Sequence, residues 1–314
     1  MNTVLEVKGL TKDYKDVRAL DNVSFEVQKG EIFGFLGPNG AGKSTALKII
    51  CGLAFATSGS VRVLDADVQS NRVKALGYIG AVVETPVFYS RLSAFDNLRL
   101  VGAFYDNTDD AVIDGLLELV GLADRKYSKV GAYSLGMKQR LGIAQAIIHK
   151  PKLLVLDEPA NGLDPVGIVE LRSLLKMLAE KYGMAIIVSS HQLHEIQHTA
   201  DRVAVIKKGK ILAVKNVEEL LEGEVANRRA AIKVDNIRLA TEIAEKLGYT
   251  VKIAGIDTIE TNIIEDGIAT LNRELIMGGV NILSSRVTER NLEDAFIELT
   301  ANTAEKAEGK ADEK

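Results

Sequence analysis

The nine residues Gly37-Pro38-Asn39-Gly40-Ala41-Gly42-Lys43-Ser44-Thr45 restrict what this chain can fold into more than any other stretch. They satisfy the pattern G-x-x-x-x-G-K-[ST]. The apolar run Ile32-Phe33-Gly34-Phe35-Leu36 stands just before them, and helical periodicity begins at Lys43. A buried strand, a glycine-rich turn and a helix in that order aim backbone N–H groups and the positive end of a helix at one point, where an anion is stabilised. The pattern therefore predicts a nucleotide-phosphate site built from Gly37, Pro38, Asn39, Gly40, Ala41, Gly42 and Thr45. Lys43 reaches the β- and γ-phosphates, and the Ser44 hydroxyl ligates Mg²⁺.

The surrounding pattern fits an α/β fold. Residues 4–28 alternate apolar and polar side chains as half-buried strands do, predicting an N-terminal antiparallel part. Leu153-Leu154-Val155-Leu156 and Ala185-Ile186-Ile187-Val188 are short apolar runs, each after a helical stretch, as in a mainly parallel sheet. Between them and the first strand, residues 85–150 show helical periodicity over Ala111–Val120 and Leu135–Ile148, read as a helical insertion. The pattern restarts past residue 222 with the order βαββαβ, that of a ferredoxin-like module. The expected domains are 1–221 and 222–300, followed by a charged tail, 301–314, without large apolar side chains and expected to be disordered.

A second motif follows from the first. The run Leu153–Leu156 ends in Asp157-Glu158, which puts two carboxylates where a strand leaves the sheet. Asp157 is suited to hold Mg²⁺ through water, and Glu158 to take a proton from an attacking water as general base.

Composition excludes other classes. With 39 Lys and Arg against 43 Asp and Glu, the formal net charge of -4 gives no overall attraction to nucleic acid or anionic lipid. No apolar run is long enough to cross a bilayer, and Met1–Glu6 has no basic or apolar leader character, so a cytoplasmic location is expected. The one cysteine, Cys51, rules out an internal disulfide and reads as a packed core residue. His194-Glu195-Ile196-Gln197-His198 fits H-E-x-x-H, which on a helix can bind zinc for proteolysis. A solvated helix face is the competing reading and the favoured one.

Between the two nucleotide motifs lies Tyr133-Ser134-Leu135-Gly136-Met137-Lys138-Gln139-Arg140, which resembles the signature segment of ABC-type ATPases, usually Leu-Ser-Gly-Gly-Gln. Ser134 and Gly136 match; Tyr133, Leu135 and Met137 depart. Ser134 also suits the N-cap of a helix, which is compatible with a phosphate role. Further landmarks stand in the family's order: Tyr14 at the adenine-stacking position, Asn161-Gly162-Leu163-Asp164 after Glu158, and His191 after Ser189-Ser190. The resemblance covers about residues 3–215. Where the family usually carries Gln after the strand read over Gly77–Val83, this chain has Glu84, which keeps an acceptor oxygen for Mg²⁺ or its water shell. Glu84, the variant signature and the ending Asn291–Thr300 resemble ATP-binding subunits of bacitracin-resistance and lantibiotic-immunity exporters.

The resemblance implies an ATPase using ATP and Mg²⁺, with Glu158, His191 and Lys43 catalytic. It implies a cytoplasmic subunit on the membrane's inner face that drives a separate multi-span permease. It also implies that Asp164 belongs to the nucleotide site, and a homodimer in which Ser134 and Gly136 of one copy meet the nucleotide of the other. No nucleic-acid partner is expected, and the transported compound contacts the permease. The alternative is a soluble ABC-type ATPase acting on ribosomes or DNA, disfavoured because the chain holds neither a second ATPase unit nor a long coiled-coil insertion.

Overall fold

The alternating N-terminal pattern folds as two long strands, β1 (Thr3–Tyr14) and β2 (Val17–Gln28), paired antiparallel, with Leu5, Val7, Leu10, Leu20, Val23 and Val27 buried. The structure, a computed structural model, describes residues 3–105, 109–222, 228–263 and 267–288. The five residues of β3 (Ile32–Leu36) are all buried, and α1 (Lys43–Ile50) follows the glycine-rich turn. Strands β4 (Ser58–Val63) and β5 (Ala66–Asp67) complete a four-stranded antiparallel sheet in the order β2-β1-β4-β5.

The chain continues through α2 (Arg72–Gly77), β6 (Ile79–Val82), α3 (Ala94–Gly102), α4 (Asp110–Leu119), α5 (Leu135–Ile147), β7 (Leu153–Asp157) and α6 (Pro165–Tyr182). It then forms β8 (Ala185–Ser190), α7 (Leu193–Thr199), β9 (Arg202–Lys207) and β10 (Lys210–Asn216). The six-stranded sheet runs β10-β9-β3-β8-β7-β6 and is parallel except for the edge strand β10. Its inner strands read as unbroken apolar runs because both faces are covered. The register sets the site: Leu36 pairs with Ser190, and Asp157 with Ser189. Parallel strands leave the sheet on one edge, so the turn after β3, the carboxylates at the end of β7 and the residue after β8 emerge side by side.

Helices α3, α4 and α5 lie within the stretch expected to be a helical insertion. Their starts are capped by side chains: the Ser93 hydroxyl accepts from the Asp96 N–H, Asp109 from Val112 and Ser134 from Met137. Each such cap contributes about 1 kcal/mol. One boundary differs from the sequence reading. Gly77 ends helix α2 and Tyr78 caps it, so the strand read from Gly77 to Val83 shortens to β6, and Glu84 lies beyond it with a left-handed φ of 68°.

The chain divides between Asn216 and Val217 into two compact units, so Val217–Glu222 opens the second unit as helix α8 instead of closing the first domain at residue 221. Asn216 is the last residue of β10 and Val217 the first of the helix, so no linker residue marks the break in sequence. The second unit continues as β11 (Arg228–Val234), α9 (Ile237–Lys246), β12 (Val251–Ala254), β13 (Thr258–Ile263), α10 (Gly267–Met277) and β14 (Ile282–Thr288). This is the βαββαβ order, with an antiparallel sheet β12-β13-β11-β14. Ile232, Ile259, Leu271 and Leu275 are fully buried in its core. The tail 301–314 and the segment Asn291–Thr300 lie outside the described residues.

Candidate active site

A cleft of about 520 Å³ opens at the edge where β3, β7 and β8 end, and it is lined by every residue from Pro38 to Thr45. Close approach explains two of the glycines. Gly42 has φ 108°, and a Cβ there would stand 2.6 Å from the Ala19 carbonyl oxygen; a Cβ at Gly37 would run into the carbonyl of Ile206. Only glycine lets the loop bend this tightly against its supporting backbone. Lys43 is 5% exposed, and its Nζ donates to Gly37 O at 2.6 Å and Pro38 O at 3.4 Å. The same ammonium lies 3.3 Å from Glu158 Oε1.

One hydroxyl ties the carboxylate of Asp157, the last residue of β7, to the backbone of Glu158 just after it. Ser189, fully buried on β8, donates from Oγ to Asp157 Oδ1 at 2.5 Å and accepts the Glu158 backbone N–H at 2.9 Å. Glu158 sits in the left-handed region at φ 49°, a conformation that costs a non-glycine residue about 1–2 kcal/mol and persists only where its surroundings fix it. Its other carboxyl oxygen, Oε2, lies 2.8 Å from His191 Nδ1 and 3.4 Å from the His191 N–H. A carboxylate can only accept, so Nδ1–H donates, and Nε2 is left for a phosphate or a water. Glu158 thus stands between an ammonium and an imidazole at the cleft wall.

Oxygen donors for a divalent cation are present and chemically suited: the exposed Ser44 hydroxyl lines the cleft, and the half-buried Asp157, which does not line it, ends the strand just before cleft-lining Glu158. Asn161, Arg18, Lys208 and Gly209 also line the cleft. Of these, only Asn161 lies in a motif visible in the sequence. The turn between β9 and β10 gives no local sign that its Lys208 reaches the loop after β3.

Other expected site residues stand elsewhere. Tyr14, Glu84, Ser134, Gly136 and Asp164 do not line this cleft. Tyr14 is 46% exposed, with Lys12 Nζ 4.6 Å from its ring centre. Ser134 and Asp164 cap α5 and α6, Asp164 Oδ1 accepting from the Gly167 N–H at 2.9 Å. Glu84 Oε1 pairs with Lys48 Nζ at 2.8 Å. The hydrogen bond to that ammonium holds the Glu84 carboxyl below the ordinary carboxylate range, and Glu84 in turn raises Lys48. Cys51 is buried, and burial together with Asp157 pushes its thiol up to about 12, in keeping with a packed, unreactive role.

The H-E-x-x-H segment does form a helix, α7, but Glu195 turns away from the imidazoles, with Oε2 3.3 Å from Ser190 Oγ and Oε1 buried without a hydrogen-bond partner. Burial raises its carboxyl above the ordinary range. Among the described residues no carboxylate is bonded to the histidine pair, so the arrangement does not fit zinc proteolysis. Burial, then His194 and the Arg172 and Lys176 cations, hold His198 below the ordinary imidazole range.

Residues 20–161 match the ABC transporter family model. The chain is 38% identical over 301 residues to the bacitracin transport ATP-binding protein BcrA of Enterococcus faecalis, covering 95% of this chain and 97% of that protein. The chain belongs to the ATP-binding subunits of ABC transporters. It is also 42% identical over 228 residues to the lantibiotic transport ATP-binding protein SrtF of Streptococcus pyogenes, covering 71% of this chain and 97% of the other. Among solved structures, an ATP-binding cassette captured as a dimer after hydrolysis, with ADP and Pi bound, superposes with a TM-score of 0.61 at 26% identity, over 68% of this chain and 98% of that one. The protein is accordingly an ATPase that binds ATP and whose hydrolysis of it powers a membrane permease. The reading as a ribosome- or DNA-directed ATPase is not favoured by these relatives.

Proposed function

We propose that two copies of this chain, each bound to ATP and Mg²⁺, close on one another on the cytoplasmic face of the membrane and drive a permease that exports peptide antibiotics of the bacitracin or lantibiotic kind. The observation that carries the hydrolytic half is the placement of Glu158 between Lys43 and His191. Lys43 holds the β- and γ-phosphates, Glu158 takes the proton of the attacking water, and His191 orients that carboxylate and presents Nε2 to the γ-phosphate. Ser44 and Asp157 would hold the Mg²⁺, which neutralises phosphate charge when bound.

Three features support a dimer. The caps of α5 and α6 are exposed, Ser134 and Gly136 stand away from their own chain's cleft, and a related cassette is dimeric. Exposed Ser134 and the start of α5 supply a helix N-terminus for a partner's phosphate. In the resembled family the segment after Glu84 meets the permease. Here it runs into a groove of about 350 Å³ lined by Thr85, Pro86, Val87, Tyr105 and His149, which suits a peripheral contact of that kind. Among the described residues no helix is long and apolar enough to cross a membrane. The half-exposed Tyr14 ring offers a stacking face for the adenine, and Asp164, exposed at the start of α6, serves as a nucleotide-binding residue.

The test is a resistance assay. Cells producing the chain with its cognate permease are expected to survive bacitracin or a lantibiotic at raised doses, and Lys43→Ala to abolish the gain. Unchanged sensitivity with both subunits present would remove the peptide-export reading while leaving the ATPase intact.

A further inference from the structure

We propose that His194 and His198 form a two-imidazole clamp for a borderline divalent transition-metal ion, zinc above all, on the helix that follows His191. Both side chains are exposed on α7 one helical turn apart, with ring centres 4.4 Å apart and planes at 69°. Their Nε2 atoms stand 3.2 Å apart. Two ring nitrogens each 2.0–2.1 Å from one tetrahedral zinc ion are separated by about 3.3 Å, so the pair already has the bite of a chelate. As a hydrogen bond between two rings the same contact gains little, because water competes for both nitrogens at the surface.

The donor set defines the ion. Imidazole nitrogen suits zinc, nickel and copper, and does not suit magnesium or calcium, which take oxygen. Neither ring has a role in the nucleotide cleft, which is lined by neither residue. Glu195, one position along the helix from His194, is engaged with Ser190, and no group of three metal-binding side chains forms among the described residues. The ion would therefore keep at least two positions for water, making an exchangeable site and not a structural one. His191 is three residues before His194, so occupancy would bear on the segment that carries the catalytic imidazole.

The experiment titrates zinc chloride, without nucleotide, into the untagged full chain and follows heat. The expected result is one equivalent bound in the wild type, with affinity at least tenfold weaker in His194→Ala and in His198→Ala, while both variants keep wild-type Mg-ATPase in metal-free buffer. That retained activity separates loss of the clamp from loss of the fold. No saturable zinc binding in the wild type would overturn the proposal. So would an equivalent that survives both substitutions and disappears in His191→Ala, which would put the ion at Glu158 and His191 instead.

Discussion

His191 Nδ1 lies 2.8 Å from Glu158 Oε2, although the two residues are 33 positions apart in the chain. The parallel register of β7 and β8 creates this contact. Asp157 pairs with Ser189, so the residues just beyond both strands must meet at the sheet edge. The histidine then fixes the carboxylate toward the cleft, against the strain of the left-handed backbone at Glu158.

Ser189→Ala removes the hydroxyl that serves both Asp157 and the Glu158 N–H. A buried N–H left without an acceptor costs about 1–3 kcal/mol, and a hydrogen bond to a charged carboxylate contributes about 1.5–3 kcal/mol. Turnover is expected to fall about 10- to 100-fold, with the Mg²⁺ concentration for half-maximal activity rising, while ATP affinity changes little. Steady-state phosphate release across a Mg²⁺ series checks this. Unchanged turnover would mean that the geometry at Glu158 does not depend on this bridge.

His149 gives a pH dependence to the first unit. Burial lowers its imidazole below the ordinary range; Nε2 lies 3.1 Å from the Ile79 carbonyl, and buried Nδ1 has no partner. The unfolded chain takes up the proton first, so stability is full above about pH 6.5 and is lost as pH falls through the lower folded value. The melting temperature is expected to drop between pH 7.5 and pH 5.5, and the drop to shrink in His149→Gln. Equal slopes in the two proteins would exclude His149 as the source.

A chain ending at Asn216 is expected to bind ATP within a few-fold of the full protein. The cleft residues and the six-stranded sheet all precede Val217, and the second unit has its own core. Isothermal titration with ATP, alongside circular dichroism, measures it. Loss of binding in a truncated chain that keeps its helical signal would show that the second unit shapes the cleft.

Much of the site was legible because its signals are local. Gly37 to Thr45 and the pair Asp157-Glu158 each follow a short apolar run that fits a buried strand, and the phosphate loop carries its own glycine pattern. Contacts made across the sheet were not legible. Nothing near Ser189 in sequence shows that its hydroxyl reaches Asp157, and nothing near Lys48 shows that it pairs with Glu84. The end of α2 at Gly77 was missed because six residues hold too little helical periodicity to separate from the strand that follows. The division at Asn216 was missed because β10 runs directly into α8 with no glycine- or proline-rich linker. In the second unit, by contrast, local patterns are enough: Ile232 with Val234 and Ile259 with Ile263 mark strands, while the spacing of Leu239, Ile243 and Leu247 and of Ile268, Leu271 and Leu275 marks helices, giving the βαββαβ order.

The most direct test of the account is hydrolysis by Glu158→Gln. The amide keeps the size of the side chain but cannot take a proton from water, so the variant is expected to bind Mg-ATP with near wild-type affinity and to release phosphate at least about 100-fold more slowly. With ATP present it should run as a dimer by light scattering, the closed pair being held by unhydrolysed nucleotide. Wild-type phosphate release from this variant would contradict the assignment of Glu158 as the base, and with it the reading of the Lys43, Glu158 and His191 cluster as the hydrolytic centre.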